Sequence, residues 1–402
     1  MEEKELYLRI GTQYYKRIFK PLISGDKLEQ ILKWTPEIIR QDYGKEYLSN
    51  IEKYDGFCCV PGHLKYKRNI SKFYNTYEPL KHNSMKTENI NITLRFIKHM
   101  FGNQYELGLD YIKILYEQPI QKLPVLCFVS SERGTGKTSF INYLKLIFQK
   151  NMTFNTNEDF RSQFNSDWST KLIIAIDEVL LDKKEDSERI KTLSTSKNYK
   201  EQAKFKDKGE IEFFGKFILC SNNETNFIKI DPDETRYWII KVPVIKSPDI
   251  YLLEKLEKEI PSFIDFLLKR KYHTSNKSRM WFDEKLIKTD ALKRVKAHYR
   301  DNVEMEFVLF AIRVLELYKI EEIKFCVDDV VQILKAYSYN TGQVTVRNLL
   351  KNKWKIKPMD NAGTYKKYIL SPEKDIYEKP GKGRYYTLTK SFLKKNFGDL
   401  LT

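Results

Sequence analysis

The chain is poor in cysteine: its 402 residues contain five, which do not make a disulfide framework in a chain of this length. Cys127 and Cys220 fall within apolar runs, where a free thiol is commonly buried. The adjacent Cys58 and Cys59 lie near His63, but the usual C-x₂₋₄-C spacing and a fourth nearby ligand are missing. We therefore expect neither structural disulfides nor a zinc centre.

The sequence also lacks a signal peptide, an apolar run long enough to span a membrane, a clear repeat and a low-complexity tract. These absences favour a cytoplasmic, reducing setting without a membrane partner. Hydrophobic residues make up 41% of the chain, enough to bury the cores of two or three domains.

The most informative motif joins an apolar run, residues 125–129, to a glycine-bearing loop and the start of a helix. Backbone N–H groups in such a loop cradle phosphates, and the helix N-terminus adds positive dipole. Lys137 is predicted to reach the β/γ-phosphate oxygens and Thr138 to hold Mg²⁺, so ATP and Mg²⁺ are the expected cofactors. The motif G-x-x-x-x-G-K-[ST] has a glycine where this chain has Ser131. The residues predicted to bind the nucleotide are Ser131, Gly134, Thr135, Gly136, Lys137, Thr138 and Ser139.

A second apolar run, residues 171–176, is closed by the adjacent carboxylates of Asp177 and Glu178. This pattern is typical of a buried parallel strand with chemistry at its carboxyl end. Asp177 is predicted to bind Mg²⁺ together with Thr138, and Glu178 to orient and polarise the attacking water.

Two further residues extend the predicted site. The apolar run 215–220 ends on amides, and Asn222 is the candidate sensor of the γ-phosphate, with Asn223 as the alternative. Arg236 precedes another short apolar run. In ring ATPases such an arginine stabilises charge on the γ-phosphate of the neighbouring subunit; the alternative is a plain surface ion pair.

Taken in order, these motifs resemble the superfamily 3 helicases of viruses and mobile genetic elements. Within them the chain is most similar to the helicase half of the primase-helicases of phages, poxviruses and integrated bacterial elements. The motifs span residues 131–236, and the stretches 74–80 and 111–119 resemble the lead-in to the ATPase core of that family.

The resemblance implies an α/β fold with an AAA+-like P-loop ATPase core. It also implies an ATP-dependent replicative DNA helicase that works as a homo-oligomer, a hexameric ring, on single-stranded DNA in a bacterial host cell or an intracellular virus. A primase domain is not recognisable, so any priming would come from a separate primase or would not occur. The competing hypothesis is an ATP-switched, DNA-binding replication initiator or loader without processive unwinding.

The family also suggests a role for the Lys-rich segment 200–215. Lys204, Lys206 and Lys208 occupy alternate positions, so in an extended hairpin their ammonium groups project from one face. In superfamily 3 rings this tip lies in the central channel and grips the single-strand backbone. Interleaved acidic residues leave a solvated surface as the alternative.

Charge points to a polyanionic partner. The chain has 71 basic and 54 acidic residues, a net charge of +17. Residues 335–396 hold fifteen Lys and Arg against four Asp and Glu, so most of the excess lies near the end of the chain. That region is where we expect a duplex or single-strand contact surface.

The same region has a readable pattern. Helices are predicted at 305–318, 327–337 and 344–354, followed by strands at 365–370 and 384–389 that are joined through 378–383. Three helices and a two-stranded wing favour a winged helix; a small helical cap for packing or subunit contact is the alternative. The predicted DNA-contacting residues are Arg347, Lys351 and Lys353.

We therefore divide the chain into three parts. Residues 1–95 are predicted to be a helical N-terminal region that packs on the ring or assists assembly. Residues 96–272 are the predicted superfamily 3 ATPase core, and residues 273–402 the basic C-terminal region with a winged-helix-like domain.

Overall fold

The computed structural model describes residues 6–23, 27–82, 89–202, 209–230, 234–298, 302–337, 339, 341–371 and 375–398. The chain divides into two compact units, residues 1–298 and 299–402. Within the described ranges, the helices are too short or too polar to cross a bilayer.

The N-terminal part of the first unit is built mainly from strands, so the prediction of a helical region was wrong. A mixed sheet has the order β3-β2-β1-β4, and a smaller sheet has the order β5-β7-β6. The elements are β1 (Tyr7–Ile10), β2 (Gln13–Pro21), β3 (Lys27–Trp34), α1 (Pro36–Tyr43), β4 (Glu52–Tyr54), β5 (Gly56–Cys58), β6 (Asn69–Ile70) and β7 (Phe73–Asn75).

Strand β3 shows why the helical interpretation failed. Leu28, Ile31 and Leu32 have the spacing of a helix face, yet the segment pairs with β2 from Lys27 to Trp34. Pairing with a neighbouring strand overrides a short periodic pattern, because strand preference depends on cross-strand packing.

The rest of the first unit is built around a five-stranded parallel sheet. Its strand order is β14-β8-β13-β10-β9, and every neighbouring pair is parallel. The elements are α2 (Asn91–Phe101), α3 (Tyr105–Glu117), β8 (Val125–Val129), α4 (Lys137–Phe148), β9 (Met152–Asn155), α5 (Asn157–Arg161), β10 (Ile173–Ile176), α6 (Lys184–Thr195), β11 (Asn198–Glu201), β12 (Gly209–Glu212), β13 (Lys216–Ser221), β14 (Tyr237–Lys241), α7 (Leu252–Lys269), α8 (Glu284–Ile287) and α9 (Asp290–His298).

The three central strands confirm the buried strands predicted from the apolar runs. β8, β10 and β13 are buried at every position, as expected for strands covered by helices on both faces. Because they are parallel and adjacent, the segments that follow them meet at one edge of the sheet.

Aromatic packing fixes the helices that precede β8. The Phe101 ring contacts Phe128 and Trp238 with centroids 5.4 Å away in each case. A Cβ on Gly108 would lie 2.4 Å from this ring, so α3 approaches α2 only because position 108 has no side chain. Trp281 and Phe282 belong to the same core, so the compact unit extends past the boundary predicted at residue 272.

The Lys-rich segment has two paired arms. β11 and β12 are antiparallel, and Glu201 lies opposite Gly209. Lys204, Lys206 and Lys208 lie outside the described residues, so their predicted channel role stays a prediction.

The second unit contains helices and two antiparallel strand pairs, β15 with β18 and β16 with β17. Its elements are α10 (Asn302–Leu317), β15 (Glu322–Phe325), α11 (Val327–Ala336), α12 (Gln343–Asn348), β16 (Gly363–Leu370), β17 (Ile376–Gly383), β18 (Tyr386–Thr389) and α13 (Lys390–Phe397). A π-helical turn, Leu349–Lys353, follows α12.

Two details of the predicted wing need correction. Residues 378–383 form most of β17, and the strand that follows pairs with β15 instead of β16. Pro380 and Gly381 suggested a loop, but a two-stranded hairpin tolerates proline because both strands are edges. A Cβ on Gly381 would also lie 2.8 Å from the Tyr365 ring, so glycine allows the close approach of this ring.

Candidate functional site

A cleft of about 440 Å³ opens where β8, β10 and β13 end. Most residues predicted for nucleotide binding and hydrolysis come together here from three separate parts of the sequence. The lining residues are Arg133, Gly134, Thr135, Gly136, Lys137, Thr138, Ser139, Asp177, Glu178 and Asn222.

The loop after β8 owes its shape to two glycines. Gly134 and Gly136 have φ of +67° and +87°, in the left-handed region that side chains rarely adopt. A Cβ on Gly136 would also lie 3.1 Å from both Phe96 and Ile245. A residue outside the loop also holds the loop backbone in place, because Ile245 N donates to the Gly134 carbonyl at 3.1 Å.

Lys137 begins α4 and is buried in the cleft wall. Its Nζ donates to Thr135 Oγ1 at 3.1 Å, a neutral acceptor. Burial lowers the pKa of Lys137, against the opposing effect of Cys220, Asp177 and Glu224. An anion in the cleft would therefore stabilise this ammonium more than its present partner does.

Thr138 and Asp177 provide the oxygen ligands expected for a magnesium ion. Thr138 Oγ1 donates to Asp177 Oδ2 at 2.7 Å, although the two residues are 39 positions apart. The other carboxylate oxygen, Oδ1, accepts from Glu178 N at 3.0 Å. A hydroxyl and a carboxylate held together suit Mg²⁺, which binds proteins through few oxygen ligands and keeps several waters.

Glu178 has an unusual backbone. Its φ is +51°, although it is not a glycine. The conformation is held by neighbouring bonds: Asn157 Nδ2 donates to the Glu178 carbonyl at 3.4 Å, and Val179 N donates to the Cys220 carbonyl at 2.8 Å. Strained residues of this kind cluster at functional sites. The side chain is exposed at the cleft.

The structure distinguishes between Asn222 and Asn223, the two candidate sensors of the γ-phosphate. Asn222 lines the cleft. Asn223 closes a turn instead, because its Oδ1 accepts from Thr225 N at 3.0 Å and from Asn226 N at 2.7 Å. Asn222 is thus the better sensor candidate.

Arg236 lies at the opposite edge of the sheet. Its carbonyl accepts from Val125 N at 2.8 Å, beside the first residue of β8, whereas the loop follows Val129, the last residue. Its guanidinium donates to the buried Glu234 at 2.6 Å. Arg236 therefore does not line the cleft of its own chain.

Sequence reasoning missed two features of the cleft. Arg133 contributes to the lining and has the guanidinium that suits phosphate; it could have been found from its place inside the loop. Ser131 was predicted to bind the nucleotide, but it is not among the residues that line the cleft. Its N–H and Oγ instead donate to Glu224 at 3.0 and 3.1 Å. No local pattern indicated this contact.

The predicted DNA-contacting residues of the second unit differ in their surroundings. Arg347 and Lys351 are exposed, and Arg347 donates to Gln343 at 2.9 Å. Lys353 lies 2.5 Å from the carboxylate of the buried Glu304, which also accepts from Trp354 Nε1 at 2.6 Å. Lys353 thus stabilises the packing of this unit.

Comparison with known proteins identifies relatives of parts of the chain. Residues 128–236 match a family of unknown function, DUF5906. Over 207 residues the chain is 25% identical to the DNA primase-polymerase of Nitratiruptor phage NrS-1; the match covers 48% of this chain and 28% of that protein.

Solved structures extend the likeness to nearly the whole chain. The apo structure of the NrS-1 C-terminal region has a TM-score of 0.63 at 14% identity and covers 95% of both chains. An A-form apo structure of that region has a TM-score of 0.61 at 15% identity, with 95% and 96% covered. The chain therefore has a mixed α/β fold, with a parallel sheet, that is similar to the fold of the NrS-1 C-terminal region.

Proposed function

We propose that this chain is the ATP-dependent DNA helicase of a viral or mobile-element replication system. The observation that carries the proposal is the gathering of Lys137, Thr138, Asp177, Glu178 and Asn222 in one cleft. The parallel sheet beneath them has its strands in the order fifth, first, fourth, third, second along the chain, which supports an AAA+-like P-loop core.

The proposal gives a chemical task to the loop and to five side chains of the cleft. The loop N–H groups and Lys137 bind the phosphates of ATP, and Thr138 and Asp177 would hold Mg²⁺. The ion would neutralise charge on the β- and γ-phosphates. Glu178 orients and polarises the attacking water, and Asn222 contacts the γ-phosphate without competing for the ion.

The position of Arg236 supports the proposal that the chain assembles into a ring. It lies at the edge of the sheet opposite its own cleft, so any contact with a nucleotide has to be made in another subunit. We infer that Arg236 acts in trans in a homo-oligomer, and a hexamer is what the family resemblance implies.

The net charge and the phage relative support DNA as the partner. The net charge of +17 favours a polyanion. The NrS-1 relative is a DNA primase-polymerase, and this chain shares the fold of its C-terminal region. We assign the translocation step on single-stranded DNA to this chain.

A second candidate is the replication initiator or loader. The helix, strand and hairpin order of the second unit supports a winged helix and so favours this candidate; Arg347 is exposed on α12 and Lys351 is exposed in the turn that follows it. In this reading ATP switches assembly, and duplex binding supplies the function.

Strand displacement on a forked duplex separates the two proposals. Wild-type protein is expected to displace the strand with ATP but not with a non-hydrolysable analogue. Lys137→Ala should weaken nucleotide binding and abolish displacement, whereas Lys269→Ala, an exposed lysine on α7, should behave as wild type. Nucleotide-dependent duplex binding without displacement, lost in Arg347→Ala and Lys351→Ala, would favour the initiator.

A further inference from the structure

The phosphate loop departs from its motif at one position, and that position has a partner. Ser131 stands where the motif has glycine. Its N–H and its Oγ both donate to the same oxygen, Glu224 Oε1, at 3.0 and 3.1 Å. A glycine would keep the first bond and lose the second.

This contact holds the segment that carries Asn222. On one side, Ser130 N donates to the Ser221 carbonyl at 3.2 Å, and Ser221 Oγ donates to the Val179 carbonyl at 3.2 Å. On the other side, Glu224 is bound to Ser131. Asn222 therefore lies in a four-residue segment that is tied at both ends, to the loop and to the residue after Glu178.

Two cations keep Glu224 ionised. Lys241 Nζ, on β14, is 2.9 Å from Oε1, and Arg294 Nη1, on α9, is 3.8 Å from Oε2. Burial raises the pKa of Glu224, but the bonds from Lys241 and Ser131 outweigh it and hold the pKa below its ordinary value. The carboxylate thus accepts charge-assisted bonds while its charge is compensated beside a phosphate site.

We propose that the Ser131–Glu224 contact is a latch that positions Asn222 against the γ-phosphate during hydrolysis. The inference rests on the proposed function and assigns Ser131 and Glu224 as positioning residues. Glu224 is bonded to Ser131, whereas the Lys137 ammonium, the principal phosphate donor of the proposed site, is bonded to Thr135. Opening the latch therefore misplaces Asn222 and slows hydrolysis more than it weakens nucleotide binding.

The test separates binding from turnover in the full chain. Kd is measured with a fluorescent ATP analogue, and kcat and KM with ATP, for Glu224→Ala, Ser131→Gly and the double variant. We expect Glu224→Ala to lower kcat by roughly ten-fold or more, the cost of one charge-assisted bond, with Kd changed by less than about three-fold. Ser131→Gly should have a smaller effect, and the double variant should be no worse than Glu224→Ala, because both remove one contact.

Controls distinguish the latch from general stability. Glu257→Gln, an exposed acid on α7, should match wild type. If Glu224→Ala does not fold, the test is made with two milder variants. Ser131→Gly removes only the hydroxyl, and Glu224→Gln removes only the charge. Wild-type kcat in these variants, or equal losses in kcat and in nucleotide affinity, would overturn the latch. Failure of the wild type to bind or hydrolyse ATP would instead overturn the proposed function.

Discussion

Glu178 shows how the backbone prepares a single residue for its task. A left-handed conformation at a glutamate costs on the order of 1–3 kcal/mol and persists only where the surroundings impose it. Here the turn follows a fully buried strand, and bonds from Asn157 and Val179 fix it on both sides. The strain delivers the carboxylate to the cleft that also contains Asn222.

His63 is expected to make the protein sensitive to acid. Its ring is bonded through Nδ1 to the Tyr116 carbonyl at 2.8 Å and through Nε2 to the Tyr77 hydroxyl at 2.7 Å. Burial lowers the pKa of His63 from 6.5 to about 4. Between these values the unfolded chain binds more protons, so the free energy of unfolding falls as the pH drops, by about 3 kcal/mol in total.

Urea unfolding between about pH 7 and pH 4.5 checks this prediction. His63→Gln should show a shallower decline in the free energy of unfolding than wild type. The exposed His273 supplies the matched control, and His273→Gln should keep the wild-type slope. Equal slopes for wild type and His63→Gln would contradict the prediction.

For individual residues, the sequence could predict the parts of the site that short contiguous motifs encode. Lys137 and Thr138 follow a glycine loop, and Asp177 and Glu178 end an apolar run, so the type and order of neighbouring residues were enough. The Ser131–Glu224 contact could not be predicted, because it joins residues 93 positions apart that no short pattern relates.

At the scale of elements, the Lys-rich hairpin is expected to couple hydrolysis to movement. Replacing Lys204, Lys206 and Lys208 by Ala removes three phosphate partners, which should lower the salt slope of single-strand binding by roughly two units. Basal ATP hydrolysis should stay near wild type, because none of the three is assigned to the nucleotide. DNA-stimulated hydrolysis and unwinding should be lost.

Filter binding over a salt series and ATPase assays with and without single-stranded DNA measure these effects. A matched triple variant on α7 and the segment after it, Lys255, Lys269 and Lys271 to Ala, removes the same charge from another exposed surface. Normal unwinding by the hairpin variant would contradict the role of these lysines in a central channel and would favour the proposal of a replication initiator.

Elements differed in how far the sequence predicted them. Buried parallel strands such as β8 and β13 have continuous apolar runs, so they were found. β3 was missed because its pattern has a helical spacing, and β17 because Pro380 and Gly381 suggest a turn. In both cases antiparallel pairing with the neighbouring strand of the chain decides the structure, and the residue pattern of one segment alone does not contain that information.

At the scale of the whole molecule, the position of Arg236 makes assembly testable. Arg236→Ala alone and Lys137→Ala alone should each lose ATP hydrolysis. Mixing the two proteins should restore a fraction of the activity, because some interfaces then pair an intact loop with an intact arginine. The ATPase rate across a mixing series measures this rescue, with subunit exchange verified by labelled protein. No rescue in exchanging subunits would mean that Arg236 acts within its own chain or only stabilises it through Glu234.

If the cleft hydrolyses ATP through Glu178, replacing this carboxylate by an amide should separate nucleotide binding from hydrolysis. Nucleotide binding and ATP hydrolysis, with single-stranded DNA present, are measured on the same preparation of Glu178→Gln, with Glu257→Gln as the control. We expect Glu178→Gln to bind ATP within about three-fold of wild type and to hydrolyse it at least ~100-fold more slowly, the range for loss of a general base. Near-normal hydrolysis by Glu178→Gln would contradict this expectation.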